Sequence, residues 1–110
     1  MTQIVYPDLS YKIVGLLYDV HNHLGGGHKE NYYQKAISIL FKENGLEFKE
    51  QVKTPVLFKG EKLGNYFMDF LIENKIILEI KSGERFKIQD INQVFAYLKS
   101  ANLKLGILAN

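Results

Sequence analysis

Asp69-Phe70-Leu71-Ile72-Glu73-Asn74-Lys75-Ile76-Ile77-Leu78-Glu79-Ile80-Lys81 is the stretch that decides how this chain folds. Two apolar runs, Tyr66 to Ile72 and Ile76 to Ile80, flank the polar triplet Glu73-Asn74-Lys75. Runs of β-branched and aromatic residues bounded by turn formers predict two strands. Both runs are apolar on both faces, which predicts places in the sheet interior. Yet an acid stands early in this stretch, and Glu-x-Lys closes it. Leu78 and Ile80 point one way, so Glu79 and Lys81 share the other face with Ile77. A charge in a strand usually marks a solvated face, but this strand is otherwise wholly apolar. Buried charge is costly unless it is paired or bound to a metal. A functional site and a structural ion pair are the two readings.

Loop length separates two registers. A two-residue turn on Asn74-Lys75 sets Asp69 opposite Ile80 and turns it away from Glu79. A three-residue loop, Glu73-Asn74-Lys75, sets Asp69 opposite Glu79 with both carboxylates on one face. Shared chemistry therefore predicts the longer loop or a bulge of equal effect. Two carboxylates ~4 Å apart repel by about 1 kcal/mol in water and about 4 kcal/mol at an effective dielectric of ~20. Lys81 offsets part of this. A divalent cation offsets more, and all-oxygen donors favour Mg²⁺ or Mn²⁺ over zinc.

Working outward, the preceding half of the chain reads as helical. Asp8 or Ser10 caps a first helix with the stripe Ile13, Leu17, Val20 and Leu24, which Gly25-Gly26-Gly27 ends. A second helix is predicted from His28 to Asn44, with Tyr33, Ala36, Ile37, Leu40 and Phe41 inward and Gly45 as its C-terminal stop. The period then drops to two over Leu46 to Lys53, a half-exposed strand whose far part Pro55 disturbs or confines to an edge. Lys59-Gly60-Glu61 is a turn. Beyond Lys81, a third helix spans Ile88 to Ala101 with Ile91, Val94, Phe95 and Leu98 inward, and a last strand runs Leu103 to Ala109. The expected order is α-α-β-β-β-α-β, an α/β fold with a mixed central sheet flanked by helices.

The 110 residues, 46% hydrophobic and 24% charged, suit one globular domain over 1–110 and exclude a disordered chain. With no cysteine, disulfide frameworks, thiolate zinc, iron–sulfur clusters and a cysteine nucleophile are ruled out. No signal-peptide pattern opens the sequence, and no apolar run reaches the ~20 residues of a membrane span. A cytoplasmic protein with no membrane partner is expected. The net charge is only +2, and the pI near 8.7 falls short of the value above ~9 typical of an electrostatic nucleic-acid binder.

The pattern Asp69…Glu79-Ile80-Lys81 resembles the metal-binding core of the PD-(D/E)xK nuclease superfamily. Gly27-His28-Lys29-Glu30-Asn31-Tyr32-Tyr33 reads as G-x-x-E-x-x-Y and resembles the signature of the small GxxExxY proteins placed in that superfamily. Val20-His21, Leu24-Gly25, Gln93-Val94-Phe95-Ala96-Tyr97-Leu98 and Leu103 to Leu108 extend the likeness over about Leu9 to Asn110. Met68 stands where the superfamily name has proline, and Gly26 where the glycine loop often has another residue. The resemblance implies an α-β-β-β-α-β core and a divalent-metal phosphodiesterase. It implies metal ligands Asp69, Glu79 and the Ile80 carbonyl, with Glu30 adding an acidic group, and Lys81 assisting the attacking water. Gln93 and Tyr97, four apart on a helix, are implied beside the site.

That reading makes the chain a Mg²⁺- or Mn²⁺-dependent nuclease acting on nucleic acid, DNA foremost. Lys49, Lys53, Lys59, Lys62, Arg85, Lys87 and Lys99 are its candidate backbone contacts. One site cuts one strand, so duplex cleavage calls for a homodimer or two binding events. The alternative is a catalytically silent nuclease-fold module that binds nucleic acid or assembles with protein. Each site residue also has a plainer role. Glu30 can serve the helix dipole, and Gln93 and Tyr97 can be surface residues, Tyr97 facing partly away from the stripe that holds Phe95. His21 and His23 point about 200° apart on a helix, which disfavours zinc with His28. The triglycine lacks the ending of a P-loop, and Ser10, Ser38, Ser82 and Ser100 lack a nucleophile elbow.

Overall fold

A computed structural model describes residues 6–81 and 87–109. The elements are α1 (Pro7–Leu24), α2 (Glu30–Glu43), β1 (Phe48–Phe58), β2 (Glu61–Ile72), β3 (Ile76–Ile80), α3 (Ile88–Ala101) and β4 (Leu105–Ala109). The order is the expected one, and the chain forms two compact units, residues 1–47 and 48–110.

The first unit is the α1–α2 pair. Pro7, not Asp8 or Ser10, sets the start of α1: it holds the first helical position behind Tyr6 at φ 50, where its missing N–H costs nothing. The buried residues of α1 are Ile13, Leu16 and Val20, so Leu16 replaces Leu17 in the expected stripe, while Leu17 and Leu24 are half-buried. Gly25, at φ 72, ends the helix, a conformation glycine adopts without a Cβ penalty. Helix α2 starts at Glu30 rather than His28 and buries Ile37, Ser38 and Phe41. Tyr33 fixes the loop between the helices. Its hydroxyl donates to the Gly25 carbonyl (2.7 Å) and accepts from the His28 N–H (3.3 Å).

The second unit is a four-stranded sheet in the order β1-β2-β3-β4 with α3 packed on it. β1–β2 and β2–β3 are antiparallel, and β3–β4 is parallel. β2 and β3 are interior, as their two-faced apolar pattern requires. β1 passes through Pro55 and is an edge strand, where a residue without an N–H is tolerated. β2 is longer than the expected Tyr66 to Ile72. Its pairing with β3 covers only Phe70–Leu78, Leu71–Ile77 and Ile72–Ile76, whereas its pairing with β1 continues to Phe58–Glu61. Residues 52–68 therefore form a two-stranded arm.

Helix α3 has the expected bounds but a different inner face. Val94 and Tyr97 are buried and Phe95 is 65% exposed. Met68, Ile77, Val94 and Tyr97 make a core joined by Val52, Leu71, Leu98, Leu103 and Leu108. The expectation that Tyr97 faces partly outward, and Phe95 and Ile91 inward, is corrected. Gly106 explains the choice: a Cβ there would meet Val94 Cγ1 at 2.5 Å and Leu98 Cδ1 at 3.4 Å. The helix thus sinks its Val94–Leu98 side onto a strand that lacks a side chain at the contact.

Candidate metal centre

The β2–β3 loop is Glu73-Asn74-Lys75, three residues, with Lys75 N–H donating to the Ile72 carbonyl (3.0 Å). Glu73 and Asn74 both take positive φ, 52 and 54. The pairs Phe70–Leu78, Leu71–Ile77 and Ile72–Ile76 extend to Asp69 opposite Glu79, the register on which shared chemistry depends. At that rung the ladder changes character. The Ile80 N–H donates to Asp69 Oδ2 (2.7 Å), and the Asp69 N–H donates to Glu79 Oε1 (3.3 Å). Side-chain oxygens replace main-chain ones where β2 leaves β3.

The direction of the Ile80 carbonyl follows from its neighbours. The Lys81 N–H donates to the Ala109 carbonyl of β4 (2.9 Å), so the N–H and C=O of Ile80 both turn toward β2. The Ile80 oxygen thus faces the same side as the Asp69 carboxylate. Pleat alternation also changes sense at this rung. Phe70 stacks on Phe48, centroids 5.8 Å apart, while Met68 packs with Ile77 and Tyr97, although strict alternation would place Met68 with Phe70.

Glu79 is 5% exposed. Burial, together with the adjoining Asp69 carboxylate, pushes its pKa from 4.5 to about 8, against the pull of the Lys81 charge. Without a cation, Glu79 therefore favours its protonated form, which relieves the repulsion between the two acids. Lys81 lies on the other side, its Nζ 3.8 Å from Asp90 Oδ1. Asp90 is the third residue of α3, and its Oδ2 accepts the Lys87 N–H (3.0 Å) at the start of the helix. One carboxylate thereby caps α3 and steers the lysine.

Gln51 completes the inner ring. Its Nε2 donates to Asp69 Oδ1 (3.3 Å), and its backbone takes φ 50, an uncommon conformation for a residue with a side chain. Neither Gln51 nor Asp90 is singled out by the sequence reading. Gln51 meets Asp69 only because the β1–β2 register shifts between Val56 and Leu57. Without that shift, the pairing set at Phe58–Glu61 would run on to Met68. For Asp90 a signal existed in the sequence: it is an acid in the first turn of α3, nine residues after the lysine it meets.

The remaining predicted residues fall in different places. Gln93 is half-buried on α3, one turn from Asp90, and Tyr97 is core, 3% exposed. Glu30 is the first residue of α2 in the helical unit and is exposed. Lys49, Lys53, Lys59, Lys62, Lys87 and Lys99 are all exposed, and Arg85 lies outside the described residues. The ring nitrogens of His23 and His28 donate to the carbonyls of Asp19 and Leu24, each at 2.8 Å. Among the described residues no group of three or more His, Asp or Glu side chains gathers as a metal cage.

Two carboxylates and a main-chain carbonyl, all oxygen, fit a hard divalent cation that keeps much of its water, as Mg²⁺ commonly does. They do not fit a structural zinc, which wants four nitrogen or sulfur donors. No helix among the described residues is long and apolar enough to cross a membrane.

No curated protein and no solved structure gives a significant match. A family model described as the PD-(D/E)XK nuclease superfamily matches residues 7–110. With that match over nearly the whole chain, and an α/β fold of three helices and a four-stranded mixed sheet, the chain belongs to the PD-(D/E)XK nuclease superfamily.

Proposed function

We propose that this chain is a metal-dependent nuclease that hydrolyses phosphodiester bonds in DNA. The observation that carries the reading is the rung at which Asp69 and Glu79 meet, with Ile80 N–H bound to Asp69 Oδ2 at 2.7 Å. Asp69, Glu79 and the Ile80 carbonyl are the groups that would hold Mg²⁺ or Mn²⁺. When bound, such an ion polarises a phosphoryl oxygen and acidifies water.

The other roles belong to the chain itself. Gln51 fixes the rotation of the Asp69 carboxylate through one of its oxygens, and the Ile80 N–H fixes it through the other. Lys81, 3.8 Å from Asp90, presents a cation where negative charge builds on the phosphate during attack. Asp90 is a positioning residue that acts through Lys81. The face of Ile77, sealed by α3, keeps bulk water from the inner side of the site and strengthens these electrostatic contacts.

The finer assignment to the GxxExxY proteins rests on Gly27 to Tyr33. Tyr33 supports it with a structural role, tying the glycine loop from both sides. The exposed lysines on β1, the arm and α3 supply non-specific phosphate contacts, and a homodimer would supply the second cut in a duplex.

The test is incubation of the protein with labelled single- and double-stranded DNA and Mn²⁺, beside Glu79→Ala and Lys81→Ala. Cleavage by the wild type that falls at least ~100-fold in both variants is expected, the scale of losing a main electrostatic group. Equal residual cleavage in all three samples would mean a contaminant and would end the hydrolytic reading in favour of a silent binding module.

A further inference from the structure

The β1–β2 arm, residues 52–68, runs beyond the part of β2 that pairs with β3. Its side chains are unlike those of an ordinary solvated ribbon. Phe58 and Phe67 are 61% and 54% exposed, and Leu57 and Leu63 are exposed as well. The apolar groups come with lysines. Lys53 stands opposite Phe67 and Lys62 opposite Leu57 in the register, and Lys59 Nζ lies 5.7 Å from the Phe58 ring centroid. Residues directly opposite in an antiparallel pair share a face. The arm therefore presents aromatic rings beside ammonium groups.

Charge distribution gives the second argument. The arm holds three lysines and one glutamate, while the rest of the chain holds eleven basic and eleven acidic residues. The whole net charge of +2 thus belongs to 17 residues. A surface for a second copy of a nearly neutral chain has no need of that bias. A polyanion does.

Resting on the hydrolase reading above, we propose that the arm is the substrate grip and that it takes single-stranded nucleic acid, stacking unpaired bases on Phe58 and Phe67 and placing Lys53, Lys59 and Lys62 on the phosphates. Base–aromatic stacking needs an exposed base face, which a duplex hides and a single strand offers. Phe67 is two residues from Asp69, about 7 Å along the strand.

The test is fluorescence anisotropy in EDTA, which prevents cleavage, with the full chain and a labelled oligothymidylate of about 20 nucleotides or a matched duplex. The expected result is tighter binding of the single strand, and a loss of about ten-fold per ring in Phe58→Ala, Phe67→Ala and the double variant. Phe58→Leu with Phe67→Leu keeps the apolar volume but removes the flat rings, so it serves if the alanine pair unfolds by circular dichroism. Tighter binding of the duplex would overturn the proposal, as would unchanged affinity in the folded ring variants. Loss of a dimer in sedimentation without loss of oligonucleotide binding would assign the arm to a second copy instead. The two readings fail separately. Ring-dependent binding without Mn²⁺-dependent cleavage sinks the hydrolase alone, and cleavage with ring-independent binding sinks the arm alone.

Discussion

Glu79 sits 5% exposed beside a second carboxyl group, two residues from a lysine. Its pKa of about 8, raised from 4.5 mainly by burial, ties stability to pH. Between those two values the folded chain holds a proton that the unfolded chain has released, so stability falls as pH rises. In metal-free buffer the thermal midpoint of the wild type is therefore expected to be lower at pH 8 than at pH 5. Glu79→Gln, neutral throughout, should lose that part of the slope. A Glu79→Gln profile that tracks the wild type would show that Glu79 titrates normally. Glu79 and its partner were legible in the sequence, because strand alternation and a count of three loop residues fix which side chains meet. Gln51 was not, since its meeting with Asp69 depends on a one-residue register shift at Val56–Leu57. Asp90 carried the signal of an acid in the first turn of α3, but its contact with Lys81 depends on how α3 is rotated.

That rotation is the lesson at the scale of elements. Helix α3 carries two apolar stripes, Ile88-Ile91-Phe95 and Val94-Tyr97-Leu98, and periodicity alone does not rank them. Asp90 and Gly106 do. Asp90 caps the helix and meets Lys81, and Gly106 gives Val94 and Leu98 a place to settle. Gly106→Val should thus cost about 1–3 kcal/mol, the usual penalty of overpacking, as read by urea unfolding. Gly64, with open space at its Cβ position, is the control. Gly64→Ala should stabilise by about 0.5–1 kcal/mol through lost chain entropy. A stable Gly106→Val would mean that the helix does not rest on β4 as described. The bounds of α3 and β3 were legible from periodicity, whereas the start of β2 was not. Lys62, Gly64 and Asn65 look unlike an interior strand because they pair with β1 alone.

For the whole molecule, a net charge of +2 concentrated in the arm sets how binding responds to salt. Three lysines on single-strand phosphates give a slope of log K against log salt of about −2. Replacing Lys53, Lys59 and Lys62 with glutamine should remove most of it, and an unchanged slope would move the phosphate contacts elsewhere. Composition suggested only mild basicity, because it averages a charged arm with a neutral remainder. The fold class was open to the sequence at this scale, as the period changes from helical to two and back in chain order. The most direct trial of the central claim, that Asp69 and Glu79 together hold a divalent cation, is calorimetric titration of Mn²⁺ into the wild type, Asp69→Asn and Glu79→Gln. The wild type should bind the ion, with affinity reduced at least ~10-fold in each variant, in line with removing a charge-bearing ligand. Equal affinity in all three proteins would contradict it.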